Sequence, residues 1–302
     1  MSLVARIVAI DRTVADLART EAFYRDSLGF SRLALGPVPP PILDAMGLAG
    51  GRAIRLTMRL GDQRMTFMAV DPPGLPYPDA PLSTDPVFQH AAIPVRDMGS
   101  AFDRLRTAGP GPITQGGPQV LPEESGGVAA FKFRDPDGHP LELIHFPDGP
   151  AAETWREAPG LFLGIDHSAI TVTDRTEALA FFEHALGLRV AHLGLNHGLE
   201  QGRLDGIAAP EVDVIALDPT GSRTPHMELL HYRQPPTTRP TPAPFGPRDR
   251  ATTRFVFAVP DLPACMAAIR AAGYQAALSQ DGAAAYAEGP DGHGMLFVPS
   301  GT

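Results

Sequence analysis

Cysteine is nearly missing from this chain of 302 residues: Cys265 stands alone. One thiol cannot close an intrachain disulfide, so a packed core must hold the fold and a reducing compartment is expected. Cys265 lies in the apolar run PACMAAIRAAG and reads as a core thiol rather than a nucleophile. Long hydrophobic runs are missing too. None comes near the roughly 20 residues that span a bilayer. The first residues, MSLVARIVAID, are too short and too soon charged for a signal peptide. A soluble, cytoplasmic protein is therefore expected, with no membrane partner. Nor is there a surplus of positive charge. A formal charge of −9 and a pI near 5.5 leave no basic face for nucleic acid or an anionic membrane. Glycine and proline are abundant instead, which predicts many short strands and turns. The length suffices for two ordinary domains.

A repeat organises what is present. FRDPDGHPLEL (133–143) returns near the C-terminus as AEGPDGHGMLF (287–297), with Leu296 where Glu142 stood. A second signature occurs four times: TVADL, PVRDM, TVTDR and AVPDL share valine, any residue, then aspartate. Each follows a strand-like run and precedes a helical pattern. Asp16, Asp97, Asp174 and Asp261 fit as helix N-caps, and Gly29, Gly109, Gly187 and Gly273 as helix stops. About three further strand-like runs follow each helix. Proline-rich connectors at 71–86, 147–160 and 233–250 separate the copies.

In FYRDSLGF, FFEHALGL, FRDPDGHPLEL and the four Val-x-Asp joints, the chain resembles the vicinal oxygen chelate (VOC) superfamily. That group includes glyoxalase I, extradiol dioxygenases and bleomycin-resistance proteins. The resemblance covers nearly the whole chain and implies an α+β fold of four βαβββ modules. They would form two VOC domains, 1–147 (modules 1 and 2) and 161–302 (modules 3 and 4), joined by a linker at 148–160. Curved mixed sheets would form clefts.

In that superfamily a module can place one metal ligand early in its first strand and another in its last. Five residues before each joint valine stand Ala9, His90, His167 and Arg254; the last-strand positions hold Thr66, Glu142, Glu228 and Leu296. Modules 2 and 3 thus carry the candidate metal set His90, Glu142, His167 and Glu228, and modules 1 and 4 carry neither residue type at these positions. Imidazole and carboxylate suit one divalent ion: Ni, Zn, Co, Mn or Fe. Taken singly, a histidine opening a strand or a glutamate between leucines is ordinarily a polar residue on a solvated face. Four at matching positions of two modules favour a site. The set is complete only if modules 2 and 3 share a cleft, either within one chain as an internal pseudo-dimer or across a homodimer. Modules 1 and 4 would then form a second, metal-free cleft.

The resemblance implies a small-molecule substrate. A four-ligand His/Glu site implies a glyoxalase-I-like lyase or isomerase acting on a small oxygenated metabolite through a metal-stabilised enediolate, with Glu142 or Glu228 as base. The alternatives are an extradiol-type ring-cleaving dioxygenase using Fe(II) and a non-catalytic binding or resistance protein. Asn196, His197, Gln201 and Arg203 are read as lying in a polar loop that could meet substrate, and His226 as sharing the face of Glu228. His139 and His293 belong to the repeated turn and are expected to bond locally. His145 and His231 are expected on the opposite sheet face.

Overall fold

Each Val-x-Asp joint folds as its chemistry dictates. Asp16 accepts from the amides of Ala18 and Arg19, Asp97 from Ser100, Asp174 from Thr176 and Glu177, and Asp261 from Ala264. These are amides of the first helical turn, which have no partner inside the helix. Gly29 caps the first helix at φ 77°. The structure, a computed structural model, describes residues 2–236 and 245–301; part of the 233–250 connector lies outside the described residues.

Module 1 comprises β1 (Arg6–Thr13), α1 (Leu17–Leu28), β2 (Ser31–Pro37), α2 (Pro40–Ala45), β3 (Arg52–Leu60) and β4 (Gln63–Asp71). Module 2 comprises β5 (Gln89–Pro94), α3 (Met98–Arg106), the short strands β6 (Gly111–Pro112) and β7 (Gln119–Val120), β8 (Ala129–Arg134) and β9 (Pro140–His145). A short helix, α4 (Pro150–Trp155), follows. Module 3 has β10 (His167–Thr171), α5 (Arg175–Leu179) widening into a π-turn over Ala180–Ala185, β11 (Arg189–His197), α6 (Gly198–Asp205), β12 (Glu211–Asp218) and β13 (His226–Gln234). Module 4 has β14 (Thr253–Val259), α7 (Leu262–Ala271), β15 (Ala276–Leu278), β16 (Ala285–Glu288) and β17 (Gly294–Pro299).

The fold is α+β, with two mixed sheets. One runs β15-β16-β17-β14-β1-β4-β3-β2 and joins modules 1 and 4; the other runs β11-β12-β13-β10-β5-β9-β8-β6 and joins modules 2 and 3. Each sheet is completed by an antiparallel pair of first strands, β1 with β14 and β5 with β10. The apolar face between helices and sheets carries a continuous core, including Phe67, Phe133, Phe182 and Phe257. No helix among the described residues is long and apolar enough to cross a membrane.

The repeated turn clamps one sheet to the other. Asp137 accepts from the amide of Ala15, inside the first joint, and Asp291 accepts from the amide and hydroxyl of Thr173, inside the third. His139 Nε2 lies 2.9 Å from the Thr13 carbonyl, which can only accept, so Nε2 carries the proton and Nδ1 accepts from the Thr253 hydroxyl. His293 Nε2 donates likewise to the Thr171 carbonyl at 2.8 Å. The turn histidines are thus long-range ties, not the local ones their sequence position suggests. This explains why module 4 keeps the turn without the glutamate.

The 147–160 connector contains α4. One other expectation changes. The stretch 195–204 is not a loop: Asn196 and His197 end β11, while Gln201 and Arg203 lie on α6. Helix α6 crosses from module 3 to lie over β7 and β8 of module 2. Its counterpart α2 crosses from module 1 toward β15 and β16 of module 4.

Candidate metal centre

Strand register brings the four candidates into equivalent places. Glu142 pairs with Ala92, two residues after His90, and Glu228 with Ala169, two residues after His167. Across the antiparallel seam His90 faces Ala169 and His167 faces Ala92. The alanines leave room for the larger side chains to meet above the seam, on the side covered by α6. Modules 2 and 3 of a single chain supply all four, so no second copy is needed to assemble them.

His90 Nε2 lies 2.8 Å from Glu142 Oε2, and His167 Nε2 lies 3.8 Å from the same oxygen. One donor atom each from His90, Glu142 and His167 falls within 4.8 Å of the other two. Glu228 meets this triad at one side: its Oε2 is 3.4 Å from His167 Nε2, while its Oε1 is 3.5 Å from His226 Nε2. His90 and Glu142 are almost fully buried, and Glu228 and His226 are partly exposed, so the site opens on their side.

The donor chemistry fits a divalent ion. His90 Nε2 and Glu142 Oε2 are paired by charge at 2.8 Å, but neither buried ring nitrogen of His90 makes a hydrogen bond of regular geometry. Buried polar atoms without partners are costly unless something else occupies them. His167 is oriented from behind: its Nδ1 donates to Asp166 Oδ2 at 3.0 Å, leaving Nε2 for the centre. Asp166 in turn accepts from Trp155 Nε1 at 2.9 Å. A carboxylate behind an imidazole fixes the tautomer and raises its basicity, a common support for metal-binding histidine.

Electrostatics agree with that arrangement. Burial alone would raise the Glu142 carboxyl, but Lys132, His90 and His167 hold it down to about 2. Burial is likewise outweighed at Glu228, where His167 and His226 bring the carboxyl to about 2. Burial pushes the His90 imidazole down, against the pull of Glu142. At His167 burial is overcome by Glu228, Asp166 and Glu142, which lift it to about 9.

The remaining sequence candidates are scattered. Asn196 is half-buried on β11, His197 is exposed, and the Arg203 side chain points to solvent. Gln201 is buried under α6 and donates to Asp205 Oδ2 at 2.7 Å. His226 stands at the site's open side, 3.9 Å from Asp166. His145 and His231 bond to the Val95 carbonyl and to Asp213, away from the triad. Sequence reading missed Asp166, Trp155 and Lys132. Asp166 directly precedes His167, and Lys132 is the only lysine in the chain; that second fact was a legible signal.

The other sheet holds no such site among the described residues. At the place of His167 stands Arg254, fully buried, opposite Asp11 at the place of Ala92. The Arg254 guanidinium meets Asp11 at 2.6 Å, and Thr66 donates to the same carboxylate. Leu296 joins Ile42, Leu43 and Met46 in an apolar plug carried partly by α2. An internal ion pair and a greasy filling thus replace the His/Glu set.

The family model of the Glyoxalase/Bleomycin resistance protein/Dioxygenase superfamily matches residues 6–143 and 164–296. Glyoxalase I from Zea mays superposes with a TM-score of 0.64 at 16% identity, covering 98% of this chain and 92% of that one. A putative dioxygenase from Bacillus subtilis superposes at 0.63 with 14% identity, covering 100% and 87%. Identities this low speak for the fold alone. No curated protein matches the sequence. The two family matches span most of the chain, one on each half, and the chain belongs to the Glyoxalase/Bleomycin resistance protein/Dioxygenase superfamily.

Proposed function

We propose that the chain is a divalent-metal-dependent lyase or isomerase of the glyoxalase I kind, acting on a small oxygenated metabolite. The observation that carries this reading is the convergence of His90, Glu142 and His167, flanked by Glu228, with Asp166 fixing the His167 tautomer. His90, Glu142 and His167, with Glu228 beside them, would hold a divalent ion, which when bound would supply a Lewis acid for negative charge developing on a substrate oxygen. Glu228 is the better placed base. It is the most exposed of the four and stands at the open side, where a substrate C–H would arrive. Glu142, buried beside His90, is the better placed permanent donor. His226 holds the Glu228 carboxylate in place from the solvent side.

One observation favours a second reading. The tight cluster is two histidines and one carboxylate, the set that suits Fe(II) and oxygen chemistry, with Glu228 outside it and shared between His167 at 3.4 Å and His226 at 3.5 Å. A single experiment separates the two. Metal content is measured on protein purified without added metal, and turnover is followed with and without O₂. Nickel, zinc or cobalt with oxygen-independent turnover of a 2-oxoaldehyde adduct supports the lyase or isomerase. Iron with O₂ uptake on a catechol overturns it. Glu228→Gln is expected to lose turnover while keeping most of the metal, and Glu142→Gln to lose metal as well. Equal, modest losses in both variants reject either glutamate as base.

A further inference from the structure

Of the 25 lysines and arginines in this chain, only Lys132 is a lysine. That single lysine is only 3% exposed. It lies on β8 directly opposite Glu142 of β9. A buried ammonium needs a counter-charge, and two carboxylates are within its reach. The one it takes is not its cross-strand partner. Lys132 Nζ donates to Asp205 Oδ1 at 2.7 Å.

Asp205 comes from the other module, at the end of α6. Its second oxygen accepts from the Tyr232 hydroxyl at 2.9 Å and from Gln201 Nε2 at 2.7 Å, so the carboxylate is held on three sides. The helix end is itself tied down. The Ser83 hydroxyl donates to the Asp205 carbonyl, the Thr114 hydroxyl to that of Leu204, and the Gln115 amide to that of Arg203. Opposite charges directly across a strand pair attract, and in a dry cleft that attraction is strong. Released from Asp205, the ammonium would fall onto Glu142 and occupy carboxylate lone pairs that a metal ion needs.

We propose that Asp205 is a positioning residue for the metal centre: it holds the Lys132 ammonium off Glu142 and so keeps that carboxylate open as a donor. The inference rests on reading His90, Glu142 and His167 as metal ligands. Asp205 touches none of them and acts only through Lys132.

The test is Asp205→Asn, which keeps the shape and most hydrogen bonds but removes the charge. Zn²⁺ or Co²⁺ is titrated calorimetrically into metal-free protein. Asp205→Asn is expected to bind at least about tenfold more weakly than the parent, within the range seen when a group behind a ligand is altered. Adding Lys132→Met to it is expected to restore near-parent affinity, because the competing cation has gone. Tyr232→Phe, which removes a bond to Asp205 but not its charge, is expected to bind normally. Equal affinity in Asp205→Asn and parent overturns the proposal. So does a double variant as weak as Asp205→Asn, since the carboxylate then acts through the helix. If Asp205→Asn does not fold, the double variant decides, and its failure to bind also overturns the proposal. A parent chain that takes up no metal overturns the ligand reading itself, a separate outcome from these.

Discussion

Metal uptake by this site should release close to one proton at neutral pH, and the proton should come from His167. The perturbation is addition of Zn²⁺ or Co²⁺ to metal-free protein. With the carboxyls of Glu142 and Glu228 near 2, both are ionised at pH 7 and have no proton to give. Burial lowers His90, so it is neutral and ready to bind. His167, lifted to about 9, is almost fully protonated two pH units below that value. An imidazole must lose its proton before it can donate a lone pair. Affinity should therefore rise about tenfold per pH unit between roughly pH 7 and 9, then level off. The sign for the metal-free fold is the opposite. A histidine with a raised folded pKa stabilises the native state below its unfolded value of about 6.5, and that contribution is lost as pH rises through 9. Titration calorimetry in buffers of differing ionisation enthalpy reads the proton count as a slope. A slope near zero refutes the assignment to His167. A slope near two refutes the donor set, because His226 would then be giving up a proton as well.

Two further outcomes follow. Asp166→Asn should weaken metal binding by about 10- to 100-fold without changing the ligands themselves, measured by competition with a chromophoric chelator; unchanged affinity would show that the His167 tautomer needs no carboxylate. Asp11→Asn should destabilise the fold by about 3–5 kcal/mol by leaving Arg254 buried and unpaired, seen in urea unfolding, while metal stoichiometry stays that of the parent. A loss of bound metal there would mean that the sheet of modules 1 and 4 is more than scaffold.

The sequence by itself determined the module, because the module is local. A valine, a capping aspartate, an apolar helix face and a short run of strands follow from residues a few positions apart. The superfamily resemblance supplied the two positions to inspect in each module, and counting from the joint valine and along the last strand then singled out His90, His167, Glu142 and Glu228. Pairing was a different matter. That β5 meets β10, rather than β1 in its own half, is decided by antiparallel seams between residues about 80 positions apart, which no window of sequence records. The same holds for the turn histidines. Their motif announces a tight turn, but their partners, Thr13 and Thr171, lie more than 100 residues away. The lone Lys132 could be read from the sequence, but its partner Asp205, and the tie from Trp155 to Asp166, were set only once helices α6 and α4 were laid against the sheet. Burial gives those groups their force: an aspartate beside an imidazole, or a lone lysine opposite a glutamate, is unremarkable in water and decisive where water is excluded.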